Sequence, residues 1–399
     1  MSTTEEKKQS LNGGLIAALA LLTAIGSFAT DMYLPSLPTI VEEFGTRESL
    51  VQVSLTAYLV GSGVGQLIIG PISDAQGRKR LMVGSTIVSV FCSFLCALAP
   101  SIGVLIAARF ILGLAGGGST VLARSVVSDL ATGKKAASAY SLLAMVQGVA
   151  PVTAPLVGGA LAGPIGWRGV FCVLAAINIA QLLVAAFYIR ESRPQSERTP
   201  GDLGQLARTF KHLGANRNFV AYAAVVTCAF SGLFAYVSAS PFVFEVQFGL
   251  PVTTYTLIFA LNSCALIISS FINSRLVRSF QPQTIMRVAL VVMSICGAVE
   301  LFAALFMPYL WIIIPGLFFF MSSASFIMGN ANALGARAAG KFSGTGLAIM
   351  GCCQLVLGGL MSPVAGLGAD HRLTMAIILL TCGLLALGAS FLAKKDVVD

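Results

Sequence analysis

Apolar residues along the chain form long runs that alternate with short polar turns. A membrane-spanning helix needs about 20 mostly apolar residues, and twelve of these runs have that length. The pattern therefore predicts an all-α polytopic membrane protein with twelve transmembrane helices. In chain order the runs cover residues 12–34, 50–71, 81–99, 102–127, 136–162, 168–189, 218–242, 253–274, 284–307, 310–335, 343–367 and 373–393.

The composition agrees with a protein whose main solvent is the bilayer. Hydrophobic residues make up 56% of the chain and charged residues 10%, whereas a soluble domain carries about 25% charged residues. The nine cysteines lie in apolar runs, without metal-ligand spacing to the two histidines, which indicates buried structural thiols. We expect no metal and no cofactor.

The basic residues give the predicted orientation. With the N-terminus placed inside, twenty Lys and Arg residues lie on the inner side, whereas only Arg47, Arg168 and Arg372 lie outside. This distribution obeys the positive-inside rule and predicts that both termini are cytoplasmic. The net charge of +9 is thus an orientation signal, and we expect no nucleic-acid partner.

The longest polar stretch divides the chain near its middle. Residues 190–217 are basic and contain little apolar sequence, so they are predicted to be a cytoplasmic linker. An N-terminal six-helix bundle then covers residues 1–189 and a C-terminal one covers residues 218–399. Residues 61–74 also resemble residues 261–274, and parallel internal repeats of this kind occur in secondary transporters.

The turn between the second and third runs has an unusual pattern, GPISDAQGRKRL. An ordinary positive-inside turn would explain its basic residues but not Gly70, Asp74 and Gly77 at their spacing. Gly70 permits close helix approach, and Gly77 permits a tight reversal. Asp74 can pair with an arginine or cap a helix. The complete set is predicted to control conformation: Gly70, Asp74, Gly77, Arg78, Lys79 and Arg80.

This turn closely resembles the loop signature of the major facilitator superfamily. Ile72 stands for the usual leucine and Ala75 for the usual basic residue. The resemblance extends over essentially the whole chain. It implies two six-helix bundles around a central cavity that opens alternately to each side of a bacterial inner membrane.

The fifth run contains a second motif, formed by Gly148, Pro151, Pro155, Gly158 and Gly159. Its prolines and glycines could simply kink the helix. The spacing also resembles the antiporter motif of drug-exporting family members, although alanines replace its first two glycines. The resulting A-P-x-x-A-P form resembles the Bcr/CflA branch, associated with bicyclomycin and chloramphenicol resistance. This resemblance implies export.

A buried acid and a buried arginine are the predicted proton-coupling residues. Asp31 stands in TDMYLPSLP at the end of the first run, a stretch that resembles the same branch. An aspartate within a span costs about 2.5–3.5 kcal/mol, so Asp31 needs a partner or a use, unless it is hydrated at the outer interface. Arg109 resembles the embedded arginine of the family, with Leu112 in place of glutamine. Both residues are predicted at similar depth, since a helix rises about 1.5 Å per residue.

Polar or aromatic residues in helices expected to line the cavity are the predicted substrate contacts. For each of them, hydrogen bonding between helices is the alternative. They are Tyr33, Tyr58, Gln147, Tyr236, Asn262 and Gln354. Glu300 is a further acid well inside a span and receives no role.

The sequence therefore predicts proton-coupled multidrug efflux by alternating access, that is, a drug:H⁺ antiporter. The alternative is a proton-coupled carrier of a small metabolite or nutrient. An enzyme should show a clustered nucleophile or metal site, a receptor should carry a soluble output domain, and ATP drive would need a nucleotide-binding loop. None is evident. We expect a monomer whose partners are small amphipathic molecules, protons and membrane lipid.

Overall fold

The structure is a computed structural model that describes residues 11–198 and 203–393. Within these ranges the chain is helical and contains no β-strand. The chain ends, predicted to be cytoplasmic, and residues 199–202 of the predicted linker lie outside the described residues. The all-α fold class predicted from the sequence is confirmed.

Thirteen α-helices are found in the described residues. Short π-helical turns at Val184–Tyr188 and Phe242–Gln247 extend the sixth and the eighth of them. The helices are α1 (Gly13–Asp31), α2 (Leu37–Phe44), α3 (Glu48–Gln76), α4 (Arg78–Ala97), α5 (Ile102–Leu130), α6 (Gly133–Leu183), α7 (Leu203–Gly214), α8 (Arg217–Pro241), α9 (Val252–Leu276), α10 (Pro282–Phe306), α11 (Leu310–Ala339), α12 (Ser343–Ala365) and α13 (His371–Leu392).

Ten continuous helical stretches of the described chain are long and apolar enough to cross a membrane. Two of them, with 51 and 56 residues, are far too long for one crossing of a core about 30 Å thick. The first reverses direction at Gly166, whose φ is 65°. The second consists of α11 and α12, joined by the turn Gly340–Phe342. Each stretch therefore crosses twice, and the predicted twelve crossings are confirmed.

Two helices were not among the predicted crossings. The short α2 follows a 3₁₀ turn at Leu34–Ser36 and ends at Gly45, whose φ of 55° stops the helix. Helix α7 lies in the predicted linker and carries Lys211 and His212 in its last turn, where cations interact favourably with the helix dipole. The linker therefore contains a helix that the polar composition did not predict.

Helices from the two predicted bundles are joined by polar contacts near one end of the molecule. We call the end that holds Gly77, between α3 and α4, the basic end, and the other the opposite end. At the opposite end Gln52 donates a hydrogen bond to the carbonyl of Ser238 on α8 (3.1 Å). One turn further along α3, Thr56 donates to the carbonyl of Gly359 on α12 (2.5 Å).

A contact between a histidine and a carboxylate reinforces the same junction. His371 at the start of α13 lies 2.5 Å from the carboxylate of Glu48 at the start of α3. Glu48, Gln52 and Thr56 are spaced four residues apart, so they lie on one face of α3. This face joins α3 to α8, α12 and α13.

Candidate functional site

The Arg109 side chain lies in a cage of aromatic rings. Arg109 is fully buried in α5. Its guanidinium carbon lies 4.4 Å from the centre of the Tyr33 ring, 4.7 Å from that of Tyr58 and 5.9 Å from that of Phe171. Such cation–π contacts compensate part of the cost of removing the charge from water. Nη1 also donates a hydrogen bond to the carbonyl of Ala29.

Local packing explains how the two tyrosines reach the arginine. Tyr33 follows α1 directly, and its hydroxyl is held 3.0 Å from that of Ser54 on α3. Tyr58 lies on α3 where this helix crosses α5 with its backbone against Gly113. Gly113 is one turn after Arg109, so the close crossing brings the Tyr58 ring beside the guanidinium.

Asp31 is the last residue of α1 and is buried, with 7% of its surface exposed. This burial disfavours the alternative that the acid is simply hydrated at an interface. Among the described ion pairs, however, none joins Asp31 to Arg109. The guanidinium instead binds the Ala29 carbonyl, two residues before Asp31, and its Nε and Nη2 atoms make no hydrogen bond. The site therefore combines a buried acid with a buried cation whose donors are only partly used.

The glycines of the second motif lie between Asp31 and the second half of the chain. Gly158 on α6 packs against the carbonyl of Met32, so close that a Cβ could not be accommodated. Gly159 packs against the side chain of Thr256 on α9, where a Cβ would lie 2.5 Å from a methyl carbon. Pro151 and Pro155 lie within α6 on the approach to these contacts. The motif thus contacts the neighbour of Asp31 and the C-terminal half at successive residues.

The predicted substrate residues fall into four places. Tyr33 and Tyr58 belong to the arginine cage. Tyr236 on α8 is buried and accepts a hydrogen bond from the amide of Asn262 on α9 (2.8 Å). Gln147 accepts from Arg124 (3.1 Å), and Gln354 is half-buried on α12. Gly148, the first residue of the motif on α6, faces Ile267 of α9.

At the basic end, Arg78 is the centre of a polar network. Its side chain is buried and lies 2.6 Å from Asp74 and 3.1 Å from Asp129. Arg193 binds the same oxygen of Asp74 at 2.6 Å. Gly70 packs on Val121 of α5. Two acids and two arginines therefore hold together α3, α5 and the segment after α6.

An acid that the sequence analysis did not select completes this network. Glu191 accepts hydrogen bonds from the backbone N–H groups of Arg78 (2.8 Å) and Lys79 (3.2 Å), at the start of α4, where a carboxylate is favourable. Gly77, with φ 98°, makes the reversal and leaves space for Glu191. Arg80 is exposed. The only signal in the sequence was an acid within a basic segment.

Comparison with known proteins identifies the family. The family model described as Major Facilitator Superfamily matches residues 19–363. The chain belongs to the major facilitator superfamily. It is therefore a transporter, not an enzyme, and its two six-helix bundles surround a central cavity.

Relatives within the superfamily agree with the branch predicted from the motifs. The chain is 34% identical to "Uncharacterized MFS-type transporter YdgK" of Bacillus subtilis, covering 95% of this chain and 94% of that protein. It is 28% identical to "Bicyclomycin resistance protein homolog" of Haemophilus influenzae, over 96% of each chain. It is 31% identical to "Multidrug resistance protein MdtL" of Salmonella paratyphi C, over 68% of each chain.

A solved structure has the same fold. A bacterial homolog to the human lysosomal transporter Spinster, in an inward-facing and unoccupied conformation, superposes with a TM-score of 0.76 at 18% sequence identity. The match covers 95% of this chain and 97% of that one. At this identity the likeness shows the superfamily fold.

Proposed function

We propose that this superfamily member is a drug:H⁺ antiporter that exports small amphipathic molecules by alternating access. It works as a monomer surrounded by lipid in a bacterial inner membrane, with both termini in the cytoplasm. Its functional halves are residues 1–189 and 218–399, joined by the linker 190–217. The relatives named for bicyclomycin and multidrug resistance support export.

The observation that carries the proposal is a buried carboxyl at the end of α1, beside a buried guanidinium that it does not pair with. A carboxyl in such a place is stable when it is protonated, and the nearby cation stabilises its ionised form. The effect of burial and the effect of the nearby cation oppose each other, so a change in the surroundings can make the carboxyl bind or release its proton. Asp31 is therefore the proposed proton-coupling acid and Arg109 its electrostatic partner.

The second motif supplies the link between this proton and conformation. Gly158 contacts Met32, next to Asp31, and Gly159 contacts α9 of the other half. A shift of the chain around Asp31 is thereby transmitted to the contact between the halves. Binding of a drug near Tyr33, Tyr58 or the Tyr236–Asn262 pair changes the surroundings of the same carboxyl.

The contacts between Glu48, Gln52 and Thr56 of α3 and the other half close the opposite end in this state. In the proposed orientation that end faces outward, so the molecule is closed to the outside. Export requires that these contacts break so that drug can leave. The Asp74–Arg78 network at the basic end reorganises in the same step, and the membrane potential adds about 2.3 kcal/mol per charge for every 100 mV.

The test is uptake of labelled drugs into inverted membrane vesicles that overproduce the protein. An imposed proton gradient should drive uptake across a panel of amphipathic antibiotics, and an uncoupler should abolish it. Inverted vesicles prepared from cells that do not produce the protein are the control. Drug uptake that is unchanged by the uncoupler contradicts proton coupling. Counterflow of a metabolite but of no drug would favour the nutrient-carrier alternative.

A further inference from the structure

Glu300 lies in an unusual place for an acid. It is on α10, has 2% of its surface exposed, and its Oε1 atom has no hydrogen-bond partner. Among the described residues it takes part in no ion pair. Its carboxyl packs against Gly316 of α11, where even a single Cβ would collide with Oε1. The missing side chain at Gly316 therefore creates the space that the carboxyl fills.

Tyr236 lies beside the same space. Helices α8 and α11 run in opposite directions, and Gly232 of α8 packs so closely on the Phe320 ring of α11 that a Cβ at this position would lie 3.0 Å from it. One helical turn nearer the opposite end, α8 places Tyr236 and α11 places Gly316. Glu300 is accordingly close enough for its charge to act on the Tyr236 hydroxyl.

The Tyr236 hydroxyl connects this acid to α9. It accepts a hydrogen bond from the Asn262 amide nitrogen (2.8 Å), which leaves its own O–H free to donate. Asn262 Oδ1, like Glu300 Oε1, is buried without a partner. Asn262 and Tyr236 are thus hydrogen-bonded between α9 and α8, Glu300 on α10 lies within electrostatic reach of Tyr236, and the amide and the acid at the two ends each keep an unmatched acceptor.

We propose that Glu300 is a second proton-binding site of the carrier, connected to its centre through Tyr236 and Asn262. The step is the addition of one proton from water to the carboxylate, with no other bond made or broken. The dipole of the Tyr236 O–H lies within electrostatic reach of Glu300, and its positive end stabilises the carboxylate that has lost its proton. This proposal rests on the proposed proton-coupled transport.

The surroundings of Glu300 contain few competing groups. Cys296 lies one turn before it on α10, and the Tyr236 hydroxyl on α8 lies within reach of its charge. Gly316 of α11 contacts the carboxyl, and Leu380 of α13 packs on Gly297, three residues earlier on α10; neither can titrate. An ionised carboxyl is costly inside a span, and among the described residues no cation compensates it here, so taking up a proton removes that cost.

The direct test is infrared spectroscopy of the purified protein in lipid while the pH is changed. Wild type should show a protonated-carboxyl band, with a titrating component that Glu300→Gln lacks and Asp31→Asn keeps. Tyr236→Phe retains the ring but loses the donor, so the midpoint of this component should rise. An unchanged titration in Glu300→Gln overturns the proposal. If Glu300→Gln does not fold, an unchanged titration midpoint in Tyr236→Phe overturns it instead.

Transport separates this inference from the proposed function. In vesicles, Glu300→Gln should still move drug, with the number of protons exchanged per drug lower by about one. An unchanged ratio contradicts a role of Glu300 in coupling. If wild type exchanges no protons at all, proton-coupled export is wrong, while the infrared titration still decides whether Glu300 binds a proton.

Discussion

The guanidinium of Arg109 lies 4.4 Å from the ring centre of Tyr33. It forms no ion pair with Asp31, the acid that precedes Tyr33 by two residues. The cation is thus held by π-faces and one carbonyl, contacts that do not neutralise it. Its field remains available to the Asp31 carboxyl. This relationship explains how a charged arginine and a switchable acid can share one buried site.

Arg109→Lys should reduce drug transport about tenfold or more. Lysine keeps the charge but cannot spread a planar group over two rings, and each cation–π contact is worth about 0.5–2 kcal/mol. The measurement is initial efflux rate at equal protein level. Arg208→Lys on α7, at an exposed arginine, is the matched control, and equal rates for both variants would contradict the importance of the cage.

Arg78→Ala should destabilise the protein by about 3 kcal/mol, because removing one member of a buried ion pair leaves its partners uncompensated. Arg78 is 6% exposed in its side chain, and its partner Asp129 is 16% exposed. Thermal unfolding of the purified protein measures the change. Arg80→Ala, two residues later and exposed, should change stability by about 0.5 kcal/mol or less. A similar loss of stability in both variants would show that the Arg78 network does not stabilise the protein.

Gly158→Ala should impair both stability and transport, since a Cβ would push α6 away from Met32. Overpacking of this kind costs about 1–3 kcal/mol. Gly163→Ala is a control on the same helix, because a Cβ there meets no atom within 4 Å. Unfolding temperature and efflux are compared for the two. Wild-type transport by Gly158→Ala would show that the close contact is dispensable.

Asp370 gives a pH dependence outside the spans. It caps α13, accepting from the backbone N–H groups of Arg372 (3.0 Å) and Leu373 (3.4 Å). Partial burial raises the pKa of Asp370, but hydrogen bonds from Arg372 and Leu373 outweigh it and hold the pKa below its usual value. The ionised cap therefore stabilises the fold at pH above about 4, and this stabilisation is lost as the pH falls through the lowered pKa.

The measurement for Asp370 is the unfolding temperature of wild type and Asp370→Asn as the pH is lowered from neutral. The variant should be less stable at neutral pH, and the difference should shrink in the acid range. A difference that stays constant with pH would mean that the charge of Asp370 does not contribute.

The sequence predicted the crossings well because bilayer thickness fixes the length of an apolar run. The predicted boundary between residues 162 and 168 contains the reversal at Gly166, for example. Helix α7 was missed because its amphipathic segment is short and polar, and such a helix depends on what it packs against.

Side-chain partners across helices were harder to predict. Asp31 and Arg109 were selected because charges in a span are costly, which is a property of composition and depth. That Arg109 would bind Tyr33, Tyr58 and the Ala29 carbonyl depends on how α1, α3 and α5 cross. The sequence analysis missed Glu191 for the same reason, because it lies more than a hundred residues from the helix start that it caps.

The central claim is that Asp31 carries a proton that drug binding displaces. Adding drug to the purified protein in weakly buffered solution and recording the pH tests this directly. Wild type should release protons on binding, and Asp31→Asn should bind drug but release about one proton fewer. Equal proton release by wild type and Asp31→Asn, at equal drug occupancy, would contradict the account.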